Sequence, residues 1–143
     1  MRYLLTGAIK AGKSYRALQI ARSEFSKSLA FIATAEVTDA EMEERIAKHR
    51  RERLGSDGRE EFLTIEEPIE LDRAIDEACS LLTATPGNPG IVIDCIPMWV
   101  NNILYYHREQ DLPAILERAI AKLPEDTVIV TNEIGWGNIP YDE

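Results

Sequence analysis

The chain has 143 residues, 45% of them hydrophobic, which is the size and composition of one ordinary domain with a sizeable core. Its 25 acidic against 16 basic side chains leave a net charge of −9, which argues against a nucleic-acid binder, since such proteins display a dominant basic face. Two cysteines without CxxC spacing give no disulfide framework, the opening MRYLLTG is too short for a signal peptide's core, and no run approaches the roughly 18 apolar residues of a membrane span. A soluble protein of the reduced cytoplasm is expected, in which any anionic ligand is met by local donors rather than by the overall field.

In chain order, YLLT (3–6) reads as a short apolar strand, followed by a glycine-rich loop and a helix over about 13–27. LAFIAT (29–34) is the second strand, and a charged helix follows over 39–54. Asp39 is placed to cap it, and Glu41, Glu43 and Glu44 lie near its positive end. GSDG (55–58) stops that helix, FLTI (62–65) is a weaker strand, and a helix is expected over 68–84. TPGNPG (85–90) turns into a third long strand, GIVIDC (90–95). Helices over 97–107 and 111–123 and a last strand, TVIVT (127–131), complete the pattern. The main apolar runs are continuous rather than alternating, which suits parallel strands covered on both faces. Strands separated by helix-length segments imply βαβ units and a single α/β domain.

The loop GAIKAGKS (7–14) fits G-x-x-x-x-G-K-[ST] and sits between a strand and a helix, the context that a phosphate loop requires. Gly7 and Gly12 permit backbone conformations that aim N–H groups at phosphate oxygens, and Ala8, Ile9, Lys10 and Ala11 fill the cradle between them. Lys13 is expected to reach the β and γ phosphates and Ser14 to hold Mg²⁺. A phosphate loop needs a carboxylate on a neighbouring strand to place the metal, and IVIDC offers Asp94 at the strand's C-terminal end, where ligands bind in open α/β sheets. A strand-end aspartate can instead cap the next helix, and a glycine turn can open a helix without binding anything; the motif alone leaves both open.

EMEERIAKHRRER (41–53) holds one of the chain's two histidines, His49, among basic and acidic neighbours. On its own the stretch reads as a solvated helix face. The ordered set LLTGAIKAGKS, FIATAEVTDAEMEERIAKHR, TIEEP, IDCIPMWVNNIL and VTNEIGWGNIP, however, resembles the bifunctional adenosylcobinamide kinase / adenosylcobinamide-phosphate guanylyltransferase family of cobalamin biosynthesis. The resemblance runs from the first strand to the last residue. It implies a P-loop NTPase-like, RecA-like fold: a mostly parallel sheet with helices on both faces. It also implies two activities, phosphorylation of adenosylcobinamide with ATP or GTP and transfer of GMP from GTP to the phosphate formed.

By that resemblance His49 is the catalytic nucleophile that becomes guanylylated, with Lys13 the catalytic lysine of the kinase step. The residue types fit, since a neutral imidazole is a competent nucleophile and nearby cations favour that form. Lys48, Arg50, Arg51 and Arg53 would offset the triphosphate's charge. The resemblance further places Thr34, Ala35 and Glu36, then Arg50, Arg51, Glu52 and Arg53, and Glu66, on the nucleotide; solvation before the helix at Pro68 explains Glu66 equally well. Met98 and Trp99 read as core or subunit-contact residues, His107 as a helix-end residue, and Gly135 and Gly137 as a turn or a tight-packing site.

The family's loop usually carries an arginine and a serine where Lys10 and Ala11 stand, and often a second histidine in place of Lys48. It also continues for about a helix and a strand beyond IPYDE. The expectation is therefore a domain lacking that last segment, with an unpaired edge at TVIVT or a neighbouring strand. The resemblance implies a homo-oligomer, commonly a trimer, and the large apolar residues of 96–106 are expected at a subunit contact. Two rivals remain compatible with the residues: another P-loop kinase of a small hydroxyl compound, which has no use for His49, and a catalytically silent nucleotide-binding protein.

Overall fold

The computed structural model describes residues 1–7, 12–36, 39–83 and 87–131. Five strands, β1 (Arg2–Leu5), β2 (Leu29–Ala33), β3 (Phe62–Glu66), β4 (Gly90–Asp94) and β5 (Asp126–Val130), form one sheet in the order β1-β5-β4-β2-β3. All four strand pairings are parallel. The connecting helices are α1 (Lys13–Glu24), α2 (Ala40–Glu52), α3 (Leu71–Leu82), α4 (Ile96–Tyr105) and α5 (Leu112–Lys122), with a 3₁₀ turn over Glu109–Asp111.

The period-two alternation of the central strands sorts the core into two layers. Ala30 and Ile32 of β2 and Ile91 and Ile93 of β4 pack with Ile75 of α3, Trp99 and Ile103 of α4, and Ile115 of α5. Phe31 and Val92, between them in sequence, point the other way and meet Ala17, Leu18 and Ala21 of α1 together with Val128 and Val130. Continuous apolar runs at β2 and β4 are thus explained by burial on both faces.

β1 departs from that expectation. Its burial alternates, and Leu4 is 64% exposed, because β1 is an edge of the sheet among the described residues. The last strand is not an edge: β5 is paired on one side with β1 and on the other with β4. FLTI, the weaker strand, is the opposite edge among the described residues.

The punctuation residues act locally as chemistry suggests. Asp39 is the N-cap of α2, its carboxylate accepting from the Met42 amide at 2.8 Å, with Glu41 and Glu43 in the first turn. The helix expected from residue 68 starts at Leu71, because the Glu67 carboxylate takes the amides of Ile69 (3.0 Å) and Glu70 (2.9 Å) in a turn of its own. His107 ends α4 with a positive φ of 55°. No helix among the described residues is long and apolar enough to cross a membrane.

Candidate active site

A parallel sheet places the C-terminal ends of its strands, and the N-termini of the following helices, along one rim. Here β2, β3 and β4 end beside the starts of α1 and α4 and beside the inner face of α2. Between them lies a cleft of about 710 Å³, within the range of ~300–1,000 Å³ usual for small-molecule sites.

At one end stands the phosphate loop. Gly12 caps α1 in the left-handed region (φ 73°, ψ 25°), a conformation that glycine adopts at little cost, and no acidic residue occupies the first turn of α1. The helix's positive end is therefore left for an anion. Lys13 Nζ donates to the Gly7 carbonyl at 3.1 Å, which turns its side chain back towards the end of β1. Ser14 Oγ donates to Asp94 Oδ2 at 2.7 Å. Asp94 is not the side-chain cap of α4, whose N-cap is Cys95 with no side-chain cap bond; its carboxylate turns instead to Ser14. A hydroxyl and a carboxylate oxygen side by side are the hard donors Mg²⁺ prefers, and the pair fits an ion that takes its remaining ligands from water and phosphate. Among the described residues no group of three His, Cys, Asp or Glu side chains gathers for a metal.

The floor of the cleft is tied into the core. Thr34 is fully buried, donating through Oγ1 to the Cys95 carbonyl (2.8 Å) and accepting from the Cys95 amide (3.0 Å). Asn102 of α4 donates to the carbonyls of Thr34 (2.7 Å) and Pro68 (3.1 Å), so one buried amide joins the ends of β2 and β3 to α4. Cys95 itself lines the cleft, and burial pushes its thiol up, with the Met98 amide partly opposing.

At the other end is α2, a helix with no buried residue, whose inner face carries Met42, Arg45, Ile46, Lys48, His49 and Glu52 onto the cleft. Its C-terminal end is pinned. Arg53, only 5% exposed, lies 4.2 Å over the Phe31 ring and donates through Nε to Thr64 Oγ1 at 3.2 Å. Arg22 of α1 donates to the Glu52 carbonyl (2.7 Å) and to Glu61 (2.8 Å). Burial, then the charge of Arg50, pulls the Arg53 guanidinium below its ordinary range, while Asp94, Glu66 and Glu60 oppose. A buried cation with a cation for a neighbour favours an incoming anion. The lining sets Lys13, Arg45, Lys48 and Arg53 against Glu52, Glu66 and Asp94, so the cleft does not share the acidic excess of a chain of charge −9.

Of the residues singled out from sequence, Gly12, Lys13, Ser14, Ala35, His49, Glu52, Arg53, Glu66 and Asp94 all line this one cleft. Glu66 sits at the mouth, paired with Arg50 at 2.5 Å. Thr34 is buried behind the lining, and Glu36, outside it, accepts from the hydroxyl of Tyr106 at the C-terminal end of α4 at 2.9 Å. Gly7, Arg50 and Arg51 do not face the cleft. Ala8, Ile9, Lys10 and Ala11, and the glycines Gly135 and Gly137, lie outside the described residues. Sequence reasoning missed Tyr15, Met42, Ile46 and Pro97, and read Met98 as core or subunit contact; all five line the cleft and add apolar surface among its charged groups. Met42 and Ile46 are four apart on a helix and end three before His49, a spacing that points to one shared face. Trp99 is core, its indole donating to the Ile69 carbonyl at 2.7 Å.

Comparison with known proteins decides the family. The model of cobinamide kinase / cobinamide phosphate guanyltransferase matches residues 3–143. The chain belongs to this family. It is 33% identical to the bifunctional adenosylcobalamin biosynthesis protein CobP of Pseudomonas aeruginosa, over all of the chain and 78% of that protein. It is 30% identical to the bifunctional adenosylcobalamin biosynthesis proteins CobU of Escherichia coli and of Salmonella typhimurium, in each case over 98% of the chain and 79% of the relative. The family's two activities require a γ-phosphate site and a guanylyl acceptor, and the lining of the cleft includes a candidate for each, Lys13 and His49.

Proposed function

We propose that this chain phosphorylates adenosylcobinamide on its aminopropanol hydroxyl and then transfers GMP from GTP to the resulting phosphate, giving adenosylcobinamide-GDP. The observation that carries the reading is the single cleft lined at one end by Lys13 and the Ser14–Asp94 pair and at the other by His49. In the kinase step Lys13 and the N-terminus of α1 bind the β and γ phosphates of ATP or GTP, and the acceptor hydroxyl displaces the γ-phosphoryl group in line. Ser14 and Asp94 would hold Mg²⁺, which would supply charge neutralisation to the phosphates. In the second reaction the His49 imidazole attacks the α-phosphorus of GTP, pyrophosphate leaves, and an oxygen of the corrinoid phosphate then displaces the histidine. Splitting the transfer in this way replaces one difficult displacement by two easier ones. Arg53 and Lys48 stabilise the triphosphate's charge, and Glu66 orders Arg50 at the mouth.

A homo-oligomer in the cytoplasm goes with this reading, a trimer by resemblance. Leu104, Tyr105 and Tyr106, exposed together at the end of α4, support a second copy as their cover. Incubation with adenosylcobinamide, GTP and Mg²⁺ followed by chromatography tests the function: the phosphate and then the GDP derivative are expected. Accumulation of the phosphate alone favours a simple kinase, and unchanged corrinoid overturns the reading.

A further inference from the structure

His49 Nδ1 lies 3.4 Å from Glu52 Oε1, three residues on along α2, and both side chains line the cleft. Glu52 is the better anchored of the two. Its backbone carbonyl accepts from Arg22 of α1, and the next residue, Arg53, is buried against Phe31. His49 has no such tie; its side chain is 39% exposed. The rest of α2 buries nothing, so Glu52 is where the helix is fixed to the body nearest the imidazole. An imidazole whose one nitrogen faces a carboxylate keeps its hydrogen there and offers the lone pair on the other nitrogen.

Given His49 as the guanylyl acceptor, we infer that Glu52 is its positioning residue: its carboxylate takes the Nδ1 hydrogen and leaves Nε2 as the atom that attacks phosphorus. This differs from the nucleotide contact that the resemblance implies for Glu52. As Nε2 bonds to the α-phosphorus of GTP, the bridging P–O bond breaks and its electron pair leaves on pyrophosphate. Nδ1 keeps its hydrogen, so the guanylylated ring is cationic and the Glu52 carboxylate faces that charge. When a phosphate oxygen of the acceptor displaces the ring, the N–P electron pair returns to Nε2 and the neutral imidazole is restored. No proton has to leave the ring at either step.

The test has a spectroscopic and a kinetic arm, both in a His107→Asn background. Asparagine tolerates the positive φ of that position, and the change leaves His49 as the one histidine. Long-range ¹⁵N–¹H correlation on the neutral ring of the nucleotide-free protein is expected to show hydrogen on Nδ1. Glu52→Ala shifts the ring toward the Nε2–H form, whereas Glu52→Gln, which still accepts a hydrogen bond, keeps Nδ1–H. With α-labelled GTP, Glu52→Ala lowers the maximal labelling rate by about 10–100-fold with half-saturating GTP within about threefold, and Glu52→Gln falls between. A nucleotide contact would instead raise half-saturating GTP and leave the ring unchanged. Hydrogen on Nε2 in the unsubstituted ring, or wild-type labelling rates in Glu52→Ala, overturns the inference while leaving His49 as acceptor. Failure of the unsubstituted protein to label at all overturns the acceptor reading itself, and the inference with it.

Discussion

Replacing Asn102 by alanine removes one side chain and two hydrogen bonds, to the carbonyls of Thr34 and Pro68. Thr34 is fully buried and Asn102 itself nearly so, so neither water nor a neighbour is placed to replace the lost donor at once. An unsatisfied buried acceptor costs about 1–3 kcal/mol. Partial relaxation and the entry of one water lower the sum, and about 2–4 kcal/mol is expected for the pair. On a domain of this size that corresponds to a fall in Tm of roughly 7–13 °C. The effect should reach the site, because Thr34 also holds the backbone of Asp94 and Cys95. Urea denaturation measures the stability, and the rate of corrinoid phosphorylation at saturating nucleotide, below the new transition, measures the coupling. Asn102→Asp, which faces two carbonyls with a carboxylate, should be worse than alanine. A stability loss under 1 kcal/mol would refute the claim that this amide is the tie between the strand ends and α4.

Lys13→Ala should weaken GTP binding at least tenfold by calorimetry, about 1.4 kcal/mol, and impair both reactions; normal binding would make GAIKAGKS a structural turn. Asp72 of α3 is buried against Arg118 (2.7 Å), and although burial alone would raise its carboxyl, the Arg118 hydrogen bond and charge hold it below the usual range. A depressed folded value means that the pair's stability is fully present above about pH 4 and is lost as pH falls through the folded value. The gap in denaturation midpoint between the native chain and Arg118→Met should therefore narrow as pH falls from 7 towards 3, and a gap that widens would contradict the pairing. Light scattering at micromolar concentration should find an oligomer, and Leu104→Glu with Tyr105→Glu should yield monomers; a native chain that is already monomeric would exclude these residues as a subunit contact.

The strands and helices were legible because local signals agreed with the packing they enter. LAFIA and GIVID are apolar throughout because both faces of β2 and β4 are covered. YLLT carries the same signal but lies at an edge, so strand position could not be read from composition. It was also not legible that TVIVT inserts between β1 and β4, since strand order depends on crossovers far apart in sequence. In the site, the meeting of Ser14 and Asp94 was legible because motif spacing and strand-end position put both at one rim of the sheet. The clamp on α2 was not: Arg22 is about thirty residues from Glu52, and nothing in IARSE marks its arginine as different from a surface one. Asn102 left a trace, a pair of asparagines in an otherwise apolar helix, whose meaning needed the carbonyls it reaches. Met42 and Ile46 were hidden by the charges around them, which made α2 read as a solvated helix; it is one, except along the face it turns to the cleft.

The central claim is that His49 carries GMP. Incubation with α-labelled GTP and Mg²⁺, denaturation, and mass mapping of the peptide spanning 41–53 tests it most directly. One GMP is expected on His49, in a linkage labile to acid and stable to base, and none on His49→Ala, which should still bind GTP within a few-fold. Label on another residue, or undiminished label on His49→Ala, would contradict the account.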